Sequence, residues 1–233
     1  MHRRVLARFA GPVGQISILE DKRTGERFYE EAGVAQSCVL AGGEAGVEYV
    51  RLMASLLAGP SNALLLGCGG GSLASMLHRR GSRVTVVDVN PISFQLARTF
   101  FWMPSGIECV IADMRNFMRS DNRTFDAIGI DVGGPCFSYE KVLRPATIAQ
   151  VRRALRDGGR VTVNISCEAP DDPVPGRIAG KFAAVGLDVW LFMENPGPDG
   201  EVNAVVLASA RRESVAALKK LADGKWSFAQ LER

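Results

Sequence analysis

The residues best suited to chemistry are a glycine loop, Ala63-Leu-Leu-Leu-Gly67-Cys68-Gly69-Gly70-Gly71-Ser72, and three aspartates beyond it, Asp88, Asp113 and Asp131. Glycines there permit positive φ and let a ligand approach the main chain, while the helix expected from Ser72 onward turns free N–H groups toward the loop. Asp88 ends the next apolar run, in Val86-Val87-Asp88, where a carboxylate can accept hydrogen bonds from both hydroxyls of a ribose. Counted from Gly67, the sixth position of G-x-G-x-x-G is Ser72, so the strict dinucleotide fingerprint fails while G-x-G-x-G is met. That pattern favours adenosyl-methionine chemistry over NAD. Asp113, in Ile111-Ala112-Asp113, stands where an adenine amino group can be read, and Asp131 can orient or deprotonate a nucleophile. The structural role open to Asp113 is that of a solvated strand end, and to Asp131 that of a cap on the following loop.

The elements that must position these groups alternate. Short apolar runs at 63–66, 83–87, 107–111, 125–130 and 160–165 read as strands, with helices at 72–80, 91–101, 114–119 and 145–156 between them. Continuous apolar strands separated by amphipathic helices are what a parallel sheet covered on both faces requires. The expected fold is therefore α/β, a doubly wound Rossmann-like sheet. In such sheets ligands bind beyond the carboxyl ends of the strands, so Gly67, Asp88, Asp113 and Asp131 converge on one rim. Residues 188–192 and 203–208, joined by a loop rich in Gly and Pro, predict an antiparallel hairpin that closes the sheet, and 213–221 a solvated terminal helix. Residues 1–60 form a separate expectation: a small β-rich hairpin unit with strands at 14–20 and 27–31, then a first helix at 44–57. Residues 61–233 are then the catalytic domain.

Composition excludes several classes. The 233 residues are 47% hydrophobic and 23% charged with a net charge of +3, which describes a soluble chain with a sizeable core and no excess charge for nucleic acid. No apolar run reaches the 18 or so residues of a membrane span, and Arg8 interrupts any secretory leader, so a cytoplasmic location is expected. The five cysteines form no C-x-x-C pair, and no metal site is expected. Cys136, beside the Asp131 loop, reads as packing, as does Phe100-Phe101-Trp102, and His78 suits the end of a helix.

Taken together, these motifs resemble the class I S-adenosylmethionine-dependent methyltransferase fold and, within it, the spermidine synthase-like polyamine aminopropyltransferases. The glycine loop resembles that family's G-G-G-D-G-G, with Gly67, Gly69 and Gly71 at cofactor-contacting positions. Asp88 is similar to its nucleoside-binding acid, Asp113 to its adenine-side acid, and Asp131 to Pro135 to its D-x-x-D-P loop. Gln15 and Gln36 resemble cofactor-side glutamines, and Tyr49 the tyrosine at the first core helix. The run Leu155 to Asn164 resembles the family's helix end, Gly-Gly turn and fifth strand. The resemblance implies S-adenosylmethionine or its decarboxylated form as cofactor, Asp131, Tyr49 and Tyr139 at the reacting centre, and a homodimer.

The chain departs from that pattern where the work is done. The second acid of D-x-x-D-P is Gly134, the acid of the glycine loop is Gly70, and Val50 follows the tyrosine in place of a polar residue. A desolvated polycation without paired carboxylates costs several kcal/mol, so a polyamine is a poor ligand by this reading. Gly70 is expected to leave N–H groups free for the carboxylate of intact S-adenosylmethionine, which points to methyl transfer onto a small acceptor. Aminopropyl transfer is the close alternative; a non-catalytic nucleoside-binding protein and an NAD-dependent oxidoreductase are the others.

Overall fold

The computed structural model describes residues 2–57, 59–134, 137–167, 169–195 and 202–231. Pro135, Cys136 and most of the loop before Val202 lie outside the described residues. The chain opens with an antiparallel sheet of four strands in sequential order, β1 (Arg3–Ala10), β2 (Gln15–Asp21), β3 (Arg27–Glu31) and β4 (Val34–Val39). Two of these strands were expected. The outer pair, β1 and β4, carries weak alternation, because much of each strand remains exposed, as the RRVLARFA and VAQSCV runs show. Ile16, Ile18, Tyr29 and Val39 line the inner face and pack on Leu96 and Phe101. Arg27 adds a polar tie, donating to the Phe100 carbonyl at 2.6 Å and stacking 4.2 Å from the Trp102 ring centre. The Phe100-Phe101-Trp102 cluster thus joins this sheet to the rest of the chain.

Helix α1 (Glu48–Leu56) leads into β5 (Asn62–Leu66), whose residues 63–66 are all buried. There follow α2 (Ser72–Arg79), β6 (Arg83–Asp88), α3 (Ser93–Phe100), β7 (Glu108–Ile111), α4 (Met114–Ser120) and β8 (Phe125–Ile130). Next come α5 (Tyr139–Val142), α6 (Pro145–Ala154), β9 (Leu155–Cys167), α7 (Val174–Ala183), β10 (Asp188–Glu194), β11 (Val202–Ser209), α8 (Val215–Ala222) and β12 (Trp226–Leu231). The eight strands of the main sheet lie in the order β12-β10-β11-β9-β8-β5-β6-β7. The five from β9 to β7 are parallel; β10, β11 and β12 pair antiparallel. Alternate residues feed two cores. Ala63, Leu65 and Ala127 join the cluster under α1, α2 and α8, while Leu64, Leu66, Ile128 and Ile130 join the one under α4, α6 and α7.

One expectation is corrected. The β10–β11 hairpin does not close the sheet, because β12 adds outside β10, pairing Trp226 with Glu194 through Leu231 with Val189. Half of its WSFAQL run is exposed, since an edge strand buries little. Just ahead of α7, Asp172 accepts from the Val174 N–H at 2.8 Å. Among the described residues no helix is long and apolar enough to cross a membrane.

Candidate active site

The four expected features do meet on one rim, beyond the carboxyl ends of β5, β6, β7 and β8. Parallel pairing sets this: Leu66 is in register with Val87 on one side and Ile130 on the other, and Asp88 with Ile111. Gly67 continues both ladders, donating to the Val87 carbonyl at 2.8 Å, while Asp131 donates its N–H to Leu66 at 2.9 Å. At φ 101° Gly67 occupies left-handed backbone, and a Cβ there would strike the Asp131 main-chain carbonyl. Only glycine lets β5 leave this close to β8.

Asp88 is held by both loops beside it. The Cys68 N–H donates to Oδ2 at 2.8 Å and the Asn90 N–H to Oδ1 at 2.7 Å. Burial pushes its carboxyl above the ordinary range, and these two bonds oppose the rise. A carboxylate offers about four acceptor positions, so capacity remains for an incoming hydroxyl. Beside it Val89 is 67% exposed and Ile111 is 59% exposed, an apolar pair at the ends of adjacent strands. Asp113 takes a structural role that the sequence reading did not name. It caps α4, accepting from the N–H groups of Arg115 and Asn116, and the Arg115 guanidinium holds its carboxyl below the usual range.

The expected role of Gly70 is not what the geometry provides. Its N–H is already taken, donating to Ser37 Oγ at 2.9 Å, and the Gly71 N–H bonds to Cys68 O at 2.8 Å. A Cβ on Gly70 would lie 2.8 Å from Val39 Cγ2. Glycine stands there because β4 packs down onto the loop, and the N–H groups of Gly70 and Gly71 are already bonded. Gln36 precedes Ser37 on β4 and is half-buried, whereas Gln15 is exposed at the start of β2, in an open concavity with Arg8, Phe9 and Gly14.

Beneath the loop a small, partly open cavity of ≈ 20 Å³, room for about one water, is bounded by Ser37, Tyr49, Val50, Gly67, Cys68 and Asp131 among others. Among the described residues no cationic side chain lines it. Burial pushes the Asp131 carboxyl up to about 6, opposed by Asn164 Nδ2, which donates to Oδ1 at 3.0 Å. Tyr49 enters from the first turn of α1; burial, then the charges of Asp131, Tyr139 and Glu194, drive its hydroxyl well above the ordinary range. Tyr139 Oη accepts from the Ser166 N–H at 3.0 Å, and its ring meets Phe137 edge-on at 5.0 Å. Burial raises the Tyr139 hydroxyl too, with Asp131 contributing. Asp131, Tyr49 and Tyr139 are therefore one electrostatic group.

Three residues escaped the sequence reading. Ser37 lacks any local signal. Asn164 was legible as a lone amide in the apolar run Val161 to Ile165; it is 7% exposed, and its Oδ1 has no hydrogen-bond partner. Glu194 acts across the sheet on Tyr49, from an element that adjacency in sequence does not reveal.

Residues 63–159 match the family described as "Methyltransferase domain". No curated protein matches the chain. Among solved structures, a probable spermidine synthase from Corynebacterium glutamicum aligns with a TM-score of 0.82 at 19% identity, over 96% of this chain and 90% of that one. A spermidine synthase in complex with the transition-state analogue AdoDATO gives 0.69 at 18% identity, over 91% and 76%. Human methyltransferase-like protein 13 in complex with SAH gives 0.57 at 21% identity, over 76% and 85%. The rim of aspartates and the antiparallel end of the sheet thus belong to a chain with the spermidine synthase-like form of the class I S-adenosylmethionine-dependent methyltransferase fold.

Proposed function

We propose that this chain is a transferase that uses an S-adenosylmethionine-type cofactor to alkylate a small acceptor at Asp131. The observation that carries the reading is the Asp131 carboxyl, buried beside the glycine loop and pushed up to about 6. At neutral pH such a group is a stronger base than an ordinary aspartate and still mostly ionised.

The residues present fit the nucleoside. Asp88 keeps acceptor capacity for ribose hydroxyls, Val89 and Ile111 offer exposed apolar faces to a base, and Gly67 leaves no side chain between loop and ligand. When bound, the cofactor supplies an activated carbon on a sulfonium that departs as a neutral thioether. Asp131 receives the proton that the acceptor nitrogen releases as its lone pair forms the new bond. Asn164 fixes the Asp131 carboxylate, and Tyr49 and Tyr139 close the surrounding wall and exclude water.

A second reading concerns the group transferred. Ser37 Oγ occupies the Gly70 N–H, which favours a cofactor without a carboxylate, hence aminopropyl transfer, over the methyl transfer anticipated from Gly70. Calorimetric titration with S-adenosylmethionine and its decarboxylated form decides between them: tighter binding of the carboxylate-bearing molecule restores methyl transfer. No heat with either, or with S-adenosylhomocysteine, refutes the transferase reading and leaves only the scaffold.

A further inference from the structure

Strand β9 carries a polar line through the core that the catalytic reading does not explain. Alternation sets its direction: Val161, Val163, Ile165 and Cys167 join the core under α4, α6 and α7, which turns Arg160, Thr162 and Asn164 to the opposite face, under α1. Helix α1 covers that face, its Leu56 carbonyl accepting from Arg160 Nη1 at 2.6 Å at one end and its Tyr49 lining the Asp131 cavity at the other. Thr162 is fully buried, and its Oγ1 has no hydrogen-bond partner among the described residues. Its neighbours across the sheet, Gly129 on β8 and Leu207 on β11, bring no polar side chain. Along its own strand, the Arg160 guanidinium is committed to Glu213 and to Leu56. That leaves Asn164, two residues on and roughly 6.6 Å along the strand.

Asn164 has the matching gap. Its Nδ2 donates to Asp131 Oδ1 at 3.0 Å, so its buried Oδ1 is left without a donor among the described residues. This orientation suits an ionised Asp131, which can only accept. A protonated Asp131 carries an O–H that needs an acceptor, and a half-turn of the Asn164 carboxamide supplies one, because the terminal torsion of asparagine is broadly two-fold. The same half-turn takes Nδ2 away from Asp131. Ser166, the next polar residue beyond Asn164, is exposed, so the buried acceptor that remains on this face is Thr162 Oγ1. A buried hydroxyl without a partner costs free energy that an isosteric valine avoids. Threonine at 162 is therefore explained by a state in which that hydroxyl is bonded.

We propose that Thr162 and Asn164 form a proton-coupled amide switch: when Asp131 takes a proton, the Asn164 carboxamide turns so that its Oδ1 accepts the Asp131 O–H and its Nδ2 donates to Thr162 Oγ1. Both unpaired atoms then gain partners, and the proton is held in a neutral, hydrogen-bonded group. Thr162 lies below the rim and is a positioning residue that acts through Asn164. The other titratable groups facing Asp131 are Tyr49 from α1, itself under the charge of Glu194 on β10, and Tyr139 from α5, with Cys38 of β4 and Cys68 of the glycine loop on the same cavity. Burial raises all four of these hydroxyls and thiols above their ordinary values, whereas it brings Asp131 to about 6. The use of the switch in transfer, keeping the proton from returning to the alkylated acceptor, rests on the transferase reading.

The test uses the full chain without ligand, its aspartate carboxyls and asparagine amides isotopically labelled, titrated by NMR across the Asp131 range, with Asp131→Asn and Asn164→Leu assigning the signals. In the wild type the Asp131 carboxyl and the Asn164 side-chain N–H signals are expected to move with one shared midpoint. Thr162→Val keeps the shape and removes the hydroxyl. It is expected to lower the Asp131 midpoint by about 0.5–1 pH unit, the loss of one hydrogen bond from the protonated form, with melting temperature checking that the fold persists. Thr162→Ser, which restores a hydroxyl, is expected to keep the wild-type midpoint. An unchanged midpoint in Thr162→Val, or Asn164 signals that stay fixed while Asp131 titrates, overturns the switch. A shared midpoint that shifts as expected, in a chain that binds neither S-adenosylmethionine nor its decarboxylated form, supports the switch and overturns only the transferase reading.

Discussion

Replacing Asp131 by asparagine should make the protein more stable and stop its chemistry. The carboxyl rises from an ordinary 3.8 to about 6 because burial strips water from its charge, which corresponds to about 3 kcal/mol added to the cost of the ionised form. Between those two values the native chain holds a proton that the unfolded chain has released. Stability therefore falls as pH rises through this window and stays lower above it. Residual solvent contact makes about 3 kcal/mol an upper figure. Asparagine has the same shape, and its Oδ1 can still accept from Asn164 Nδ2, so the substitution removes the charge and little else. Urea unfolding of both proteins at pH 4 and pH 8 checks this: they should converge at pH 4, and the variant should be more stable by about 1–3 kcal/mol at pH 8. In the wild type, transfer should rise with pH to a plateau with its midpoint near 6; in the variant it should drop by roughly a hundredfold or more. A wild type as stable as Asp131→Asn at pH 8, or a variant with full activity, would refute both the burial argument and the role drawn from it.

Gly67→Ala forces a Cβ onto left-handed backbone and against the Asp131 carbonyl; a loss of at least about 2 kcal/mol, read by denaturant unfolding, should accompany loss of nucleoside binding. Gly70→Asp should not recreate an acidic subsite, since its Cβ meets Val39 at 2.8 Å. Its melting temperature should fall, with overpacking costing about 1–3 kcal/mol, and a gain in affinity for the decarboxylated cofactor would contradict the packing account. Glu213 is only 6% exposed and accepts from Arg160, Arg211 and Ser209. Burial works against its charge, but those bonds outweigh it and hold the carboxyl below 4.5. Its stabilisation is present above that pH and is lost as pH falls through the lowered value. Glu213→Ala, which leaves the Arg160 charge without its partner, should cost about 3 kcal/mol at pH 7 by urea unfolding.

Local chemistry made much of this legible in advance. Five apolar runs with helical spacing between them announce a two-sided sheet, because a strand buried on both faces has no room for polar residues. The strand-end aspartates follow from the same logic, since parallel strands deliver their carboxyl ends to one rim. β1, β4 and β12 were less legible because edge strands bury few side chains and leave a weak pattern. The sequence also could not show that β4 lies on the glycine loop. Whether Gly70 offers a free N–H or merely makes room for Val39 depends on a hydroxyl 33 residues away. Likewise the sequence located Asp131 but not its raised pKa, which arises from desolvation by neighbours drawn in from elsewhere. Asn164 and Glu194 join that group only through strand order and register, long-range pairings that no local spacing encodes. Residue types and periods thus determined the scaffold and the rim; three-dimensional packing decided which polar atoms on that rim are already satisfied and which still await a partner.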